Sequence, residues 1–145
     1  MTDFYKRYGF AESIRMTIFF IRSKILFKNA RLIRFPFDVR GRKYIEVMKG
    51  FTTGRGCRIE AFPQAGNKVV LRIGKNFQMN DYVHITAISH VEIGDNVLLA
   101  SKVYISDSSH GSYQGDENDS HPDSIPKERP LFYKEVKIKD KTASK

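Results

Sequence analysis

The stretch of sequence that decides the fold is residues 73–105, which read IGKNFQMNDYVHITAISHVEIGDNVLLASKVYI. Aliphatic side chains recur in it every six residues, in two sets offset by two residues near Ile93. The first set is Ile73, Met79, Ile85 and Val91, and the second is Ile93, Leu99 and Ile105. A period of six fits neither an α-helix nor an alternating strand. The offset indicates a short insertion at one corner of whatever structure repeats.

A triangular prism explains this period, because each six-residue unit can supply one short strand and one turn, and three units complete a coil. Each aliphatic side chain then points inward and stacks on its equivalent one coil later. Gly and Asn at the turns tolerate the left-handed backbone conformation of tight corners. We therefore expect stacked coils from about residue 59 to 106, with six side chains inside: Ile73, Met79, Ile85, Ile93, Leu99 and Ile105.

The flanking segments follow other patterns. Residues 4–34 carry apolar side chains every three or four positions, which predicts a helix that ends near Phe35-Pro36. Residues 107–135 break the repeat with a long polar run rich in turn residues, which is typical of a functional or disordered loop. The predicted organisation is a basic helical segment over 1–40 and a β domain over 41–145, from which the loop 107–135 protrudes.

The charge of the chain is unevenly distributed. Residues 1–40 hold nine Lys and Arg against three acidic residues, and so contribute +6 of the formal net charge of +9. Such a helix could pack on its own domain, rest on an anionic membrane surface, or bind nucleic acid, although no recognition-helix or stacking-aromatic pattern is present. Its uncharged run, 16–21, is far shorter than the about 20 residues that span a bilayer. With one cysteine, Cys57, no internal disulfide is possible, so we expect a cytoplasmic protein that could lie at the inner face of the membrane.

Three segments resemble a known family. They are 76–85 (NFQMNDYVHI), 93–103 (IGDNVLLASKV) and 104–111 (YISDSSHG). These segments resemble the hexapeptide-repeat acetyltransferases, above all the lipopolysaccharide O-acetyltransferases of O-antigen clusters of the kind called WbbJ, and more distantly the galactoside and maltose enzymes. With residues 31–36 and 49–54, the resemblance extends to about Pro130.

The resemblance implies a left-handed parallel β-helix that assembles as a homotrimer, with acetyl-CoA bound in a groove between neighbouring prisms. It implies an O-acetyltransferase whose acceptor is a sugar hydroxyl of a bacterial surface polysaccharide, such as a lipopolysaccharide O-antigen or an exopolysaccharide, or of its precursor. It implies no metal. Gln78 and Ile88 stand where the galactoside enzymes carry Tyr and Asp, so the identity of the sugar stays open.

His110 matches the catalytic histidine of this family. A sugar hydroxyl needs a base to become a good nucleophile, and an imidazole with an ordinary pKa near 6.5 suits that role. The alternative is an ordinary loop histidine. Asp107 or a backbone carbonyl could orient the imidazole. Asn80 matches an asparagine that contacts the acceptor, or is simply a turn residue, and Asp107 and Tyr113 are further candidate substrate contacts.

Other reactive side chains are interpreted as structural or solvated. His84 and His90 are six residues apart, which would put them on successive faces of a prism and not in one metal site. His121 is interpreted as a solvated loop residue. Cys57 has no identifiable partner for nucleophilic catalysis and is expected to be buried.

The C-terminal end departs from the family, whose members continue with further coils that complete the coenzyme groove. Here 136–141 begins such a strand and the sequence ends at Lys145. The resemblance therefore implies that the C-terminal coils are missing. The alternative function is a catalytically inactive, truncated β-helix that only trimerises or binds sugar.

Overall fold

The computed structural model describes residues 2–64, 66 and 68–143, with side chains from residue 9 onward. One α-helix, α1 (Thr2–Leu26), precedes a series of short strands, and short 3₁₀ helices lie at Arg42–Tyr44 and Pro126–Glu128. The strands are β1 (Phe37–Arg40), β2 (Ile45–Val47), β3 (Thr52–Thr53), β4 (Cys57–Ala61), β5 (Leu71–Ile73), β6 (Gln78–Met79), β7 (His84–Ala87), β8 (Val91–Ile93), β9 (Leu98–Leu99), β10 (Tyr104–Ser106), β11 (Ser108–His110), β12 (Leu131–Tyr133) and β13 (Val136–Ile138).

Most strands belong to three parallel sheets. The first sheet has the order β1-β4-β7-β10, the second β2-β5-β8-β13, and the third β3-β6-β9. The chain visits the three sheets in the same order on every circuit, so each complete circuit adds one strand to each sheet. Isolated parallel bridges, Leu32 to Thr52 and Leu98 to Ala143, extend the third sheet at both ends. Parallel sheets visited in this way fit a β-helix.

The interior is a stack of equivalent side chains from successive circuits. Ile105 pairs with Ile85 in the first sheet, Ile93 with Ile73 in the second, and Leu99 with Met79 in the third. All six side chains predicted to lie inside are buried. Since the partners are twenty residues apart and not eighteen, each of these circuits carries two extra residues.

Two of the three corners are built from tight turns with left-handed residues. Between the second and third sheets, Asn76 and Asn96 have φ of 54° and 58°. The amide of Asn96 donates to the carbonyl of Lys75, in the preceding circuit, at 2.7 Å. Adjacent turns also approach closely, since a Cβ on Gly74 would lie 2.5 Å from the carbonyl carbon of Gly94. Glycine at this corner therefore lets successive circuits stack in contact.

The third corner, between the first and second sheets, differs in length from circuit to circuit, and we call it the insertion corner. Its successive segments are 41–44, 62–70, 88–90 and 107–135. The segment 88–90 lies within the eight-residue spacing from Ile85 to Ile93, so the two extra residues of this circuit fall at the insertion corner. The long loop that carries His110 therefore leaves the body at the same corner as the shorter insertions.

The helix is shorter than the sequence predicted: α1 ends at Leu26 and not near residue 34, and Gly9 interrupts it with a non-helical φ of 77°. Residues 27–34 bond to the body and to the side of α1 instead. The amide of Arg31 donates to the carbonyl of Phe51 at 2.8 Å, and the amide of Ile33 donates to Ser23 Oγ at 2.6 Å. The apolar residues of this segment pack on the core from a non-helical backbone. Their spacing of three residues is also that of a helix, so the sequence alone could not tell the two structures apart.

Candidate active site

His110 lies at the end of β11, in the long loop of the insertion corner. Strand β11 pairs antiparallel with β12, and His110 is opposite Leu131. The imidazole is exposed, and the ring has no hydrogen-bond partner among the described residues. Both ring nitrogens therefore face solvent.

The backbone around His110 is held in place. The hydroxyl of Tyr113 donates to the carbonyl oxygen of His110 at 2.9 Å, and the amide of Gly111 donates to the carbonyl of Pro130 at 2.9 Å. Gly111 has a φ of 100°, and a Cβ there would lie 2.6 Å from Ser120 Oγ. Glycine is therefore required after His110, and the backbone presents the imidazole from a defined position.

The rest of the loop is ordered by its own hydrogen bonds. The guanidinium of Arg129 donates to Ser124 Oγ at 2.8 Å, to the carbonyls of Ser124 and Pro122 at 2.7 and 3.0 Å, and to the hydroxyl of Tyr113. The carboxylate of Asp119 accepts from two backbone amides of the same loop at 2.7 and 2.8 Å. Arg129 thus fixes Tyr113, which in turn holds the carbonyl of His110. The sequence carried no signal for this role of Arg129, since its partners are two hydroxyls and two backbone carbonyls that only the fold brings together.

Asp107 lies at the base of the loop and is only 3% exposed. Its carboxylate accepts hydrogen bonds from the amides of Ile88, Ser89 and His90, at 2.9, 2.7 and 2.7 Å. These are the backbone donors of the insertion corner one circuit earlier. The carboxylate therefore joins two circuits, and the predicted contact of Asp107 with substrate stays a prediction for which this side chain has little exposed surface.

We expect Asp107→Asn to lower the free energy of unfolding by about 1–3 kcal/mol, because the amide turns an N–H₂ group toward backbone donors and leaves some of them unsatisfied. Urea unfolding measures this loss, and hydrogen exchange should quicken at the amides of Ser89 and His90. The matched control is Asp123→Asn, because that carboxylate is exposed in the same loop. Equal stability of Asp107→Asn and the control would contradict the bridging role.

Asn80 lies away from His110 within one chain. It is exposed at the corner between the third and first sheets, and its carbonyl accepts the thiol hydrogen of Cys57 at 3.0 Å. His110 extends from the insertion corner, between the first and second sheets. One chain therefore does not bring together the two residues that the resemblance assigns to base and acceptor contact.

Cys57 is buried, as the sequence predicted. Burial raises the pKa of its thiol above the usual value, which disfavours the thiolate that nucleophilic catalysis needs. Its place in the buried hydrophobic core gives it a packing role.

The other histidines lie in separate environments. His84 Nε2 is 2.8 Å from the nearly buried carboxylate of Glu60, on the first sheet. His90 Nε2, at the insertion corner, is 3.3 Å from Glu135 Oε1 and 3.5 Å from Glu92 Oε2. The two rings therefore do not share a site, as their spacing predicted. His121 is exposed, with Nδ1 3.7 Å from Asp123 Oδ2.

The carboxylates beside His90 already have a cation. Among the described residues, His90, Glu92 and Glu135 form the one group whose geometry could hold a metal ion. Lys137 Nζ lies 3.0 Å from Glu135 Oε1, and this hydrogen bond and the carboxylate charge raise the pKa of Lys137. The arrangement is that of an exposed charge network joining the end of the loop to the second sheet.

Comparison with known proteins adds one relative. The chain is similar to WbbJ. The two are 39% identical over 126 residues, and the relative is a protein of Escherichia coli (strain K12) named "Putative lipopolysaccharide biosynthesis O-acetyl transferase WbbJ". The match covers 87% of this chain and 62% of WbbJ, so the chain spans less than two thirds of that relative's length. No family model and no solved structure matches the chain.

The similarity to WbbJ covers the candidate site. A match of 126 residues in a chain of 145 must include residues 20–126 wherever it begins. It therefore contains β1 to β11 with His110, Asn80 and Tyr113. This identity supports a relation to the O-acetyltransferases.

Proposed function

We propose that this protein transfers an acetyl group from acetyl-CoA to a hydroxyl of a sugar in a bacterial surface polysaccharide, such as a lipopolysaccharide O-antigen, or in its precursor. The observation that carries the proposal is the 39% identity to WbbJ, over a match that includes His110. Support also comes from the imidazole of His110, which is exposed while its backbone is fixed by hydrogen bonds from Tyr113 and from the amide of Gly111. The proposed place of action is the cytoplasmic face of the membrane, where a lipid-linked precursor would be met.

In the proposed mechanism His110 is the general base. Its unprotonated ring nitrogen takes the proton of the sugar hydroxyl while the hydroxyl oxygen forms a bond to the acetyl carbonyl carbon. The carbon–sulfur bond of the thioester breaks, and the imidazolium returns the proton to the departing sulfur. The products are the O-acetyl sugar and coenzyme A, with no acetyl group carried on the protein.

Tyr113 and Arg129 support this role from one side. Tyr113 holds the carbonyl of His110, and Arg129 holds the hydroxyl of Tyr113. The ring of Tyr113 is 61% exposed, and in this proposal it also contacts the sugar. A positioned base gains its effect from a fixed geometry, and this chain of contacts supplies it.

The proposed assembly is a homotrimer of left-handed β-helices with the active site between subunits. The repeated circuit of three parallel sheets and the left-handed residues at the corners support the β-helix, and the hand follows from the resemblance. Such crossovers are an exception to the usual right-handed rule. A site between subunits also accounts for Asn80 and His110 lying at different corners of one chain, because each could come from a different subunit.

The test is coenzyme A release, followed with a thiol reagent, together with mass spectrometry of the sugar. Acetyl-CoA is supplied with lipopolysaccharide O-units and other surface polysaccharides as acceptors, and each reaction is repeated without acceptor. We expect acceptor-dependent thiol release and a sugar heavier by one acetyl group. Thiol release that does not depend on any sugar, with no acetylated product, would contradict the proposal. The buried Cys57 keeps the protein's own contribution to the thiol signal small.

A further inference from the structure

The helix α1 has two opposite apolar faces. One is packed on the body: Phe19 and Ser23 are buried, and Leu26 packs against the core. The opposite face carries Ile14, Ile18, Ile21 and Ile25, which are 46%, 49%, 55% and 81% exposed. We call these four residues the apolar stripe. At 3.6 residues per turn they lie within a sector of about 60°.

The apolar stripe is not explained by the fold of the chain. A helix that packs once on a globular body normally turns charged and polar side chains to water on its other face. Here that face holds four isoleucines in line, at positions i, i+4, i+7 and i+11. Large exposed apolar patches mark surfaces that bind another molecule or a membrane.

Basic side chains border the apolar stripe. Around the helix axis, Arg15 and Arg22 lie on one side of it and Lys24 on the other. Residues 9–34 contain six Lys and Arg and one acidic residue, Glu12, which forms an ion pair with Arg15. The guanidinium of Arg22 lies 3.9 Å from the centroid of the Phe35 ring, and Lys24 Nζ donates to the carbonyl of Ala30 at 2.5 Å. Among the described residues, neither cation pairs with a carboxylate, so both keep their positive charge uncompensated. The surface is therefore apolar at its centre and positive at its edges.

These features point to the occupant. In the described part of the chain, no helix is both long enough and apolar enough to cross a bilayer. A second copy placed against the stripe would bring the positive borders of both copies together, which is electrostatically unfavourable. An anionic lipid surface complements both parts, because acyl chains accept the isoleucines and phosphate groups accept the cations.

We propose that α1 binds in the plane of an anionic membrane, with Ile14, Ile18, Ile21 and Ile25 inserted below the head groups and Arg15, Arg22 and Lys24 at the phosphates. The packed face of the helix, through Ser23 and Phe19, then fixes the β domain against the membrane. This inference does not depend on acetyl transfer, since it follows from the helix alone.

The test is co-sedimentation of the protein with vesicles of phosphatidylcholine alone and of phosphatidylcholine and phosphatidylglycerol in equal parts. We expect binding to the anionic vesicles at least about tenfold tighter than to the neutral ones, because each basic side chain near the surface adds to the attraction. Binding should weaken as salt is added. Equal binding to both vesicles, or to neither, would overturn the proposal.

Two variants separate the apolar stripe from general surface effects. Ile14→Asp with Ile21→Asp should lower binding to anionic vesicles by about tenfold or more. Phe62→Asp with Leu98→Asp adds the same charge at exposed apolar positions outside the helix, and should change binding far less. Circular dichroism checks that both proteins are folded. Ile14→Ser with Ile21→Ser repeats the first test without added charge.

The competing occupant is a second copy of the chain. Analytical ultracentrifugation of the wild type and of Ile14→Ser with Ile21→Ser decides between the two. An unchanged association state, together with lost vesicle binding, supports the membrane. A smaller association state in the variant would identify the apolar stripe as a subunit interface and overturn the membrane proposal.

Discussion

His110→Ala is expected to lower kcat for acetyl transfer by about 10²–10⁴-fold, the usual contribution of a positioned general base. The loss should fall mainly on kcat and little on the KM for acetyl-CoA. The imidazole takes part in proton transfer in the transition state, and the coenzyme is expected to bind elsewhere. The measurement is coenzyme A release with saturating acetyl-CoA and the acceptor found in the first assay. Stability should change little, since the ring is exposed.

His121→Ala is the matched control for this substitution, because His121 is an exposed histidine of the same loop. Its rate should stay close to that of the wild type. A His110→Ala protein that keeps the full rate would remove His110 from the mechanism. Equal losses in both variants would instead point to damage to the loop.

Leu99→Asp is expected to prevent folding. Leu99 is 2% exposed and pairs with Met79 in the third sheet, among the buried core side chains. A buried, unpaired carboxylate costs about 3–5 kcal/mol, and the lost apolar contacts add to that figure. The free energy of unfolding of a domain of this size is about 5–15 kcal/mol. The expected loss is therefore comparable to the total stability. Circular dichroism and urea unfolding measure the outcome.

The neighbouring residue of the same strand supplies the control. Leu98 is 40% exposed and faces outward from β9. Leu98→Asp should lower the free energy of unfolding by less than about 1 kcal/mol, as is usual for surface positions. If the two variants unfold at the same urea concentration, alternation between inside and outside is not what stabilises this strand.

The stacked sheets could be predicted because the period of the pattern equals a physical repeat. Ile85 and Ile105 are buried because they occupy equivalent positions on successive circuits. Each aliphatic residue is a weak indication by itself, but the same position recurs at every circuit and the indications add up. The helix boundary could not be predicted in this way. Phe27, Ala30 and Ile33 have helix-like spacing and are buried, but their backbone bonds to another part of the chain, and periodicity does not record which partner an amide finds.

The candidate site was also predictable only in part. His110 was identified by resemblance, and no spacing rule would have distinguished it from His121. The bonds of Asp107 to the amides of residues 88–90 were out of reach, because backbone donors leave no trace in the amino-acid sequence. Arg129 was missed because its acceptors, two hydroxyls and two backbone carbonyls of the loop, are brought to it by the fold and not by a sequence pattern. The local sequence shows which side chains are chemically reactive. Which of these side chains are held in a fixed position depends on hydrogen bonds between distant residues, which the sequence does not show.

The insertion corner has a consequence for how such proteins diversify. Segments of three to twenty-nine residues leave the body there, between strands whose pairing is set by the neighbouring circuits. Loops of all these lengths are tolerated there, because the entropy lost when the two ends of a loop are held together rises only slowly with loop length. Insertions and deletions at this edge can therefore change what the protein recognises without moving a single core residue. Under the proposed function, a change of loop at this corner would alter contacts with the acceptor and leave the buried side chains of the sheets in place.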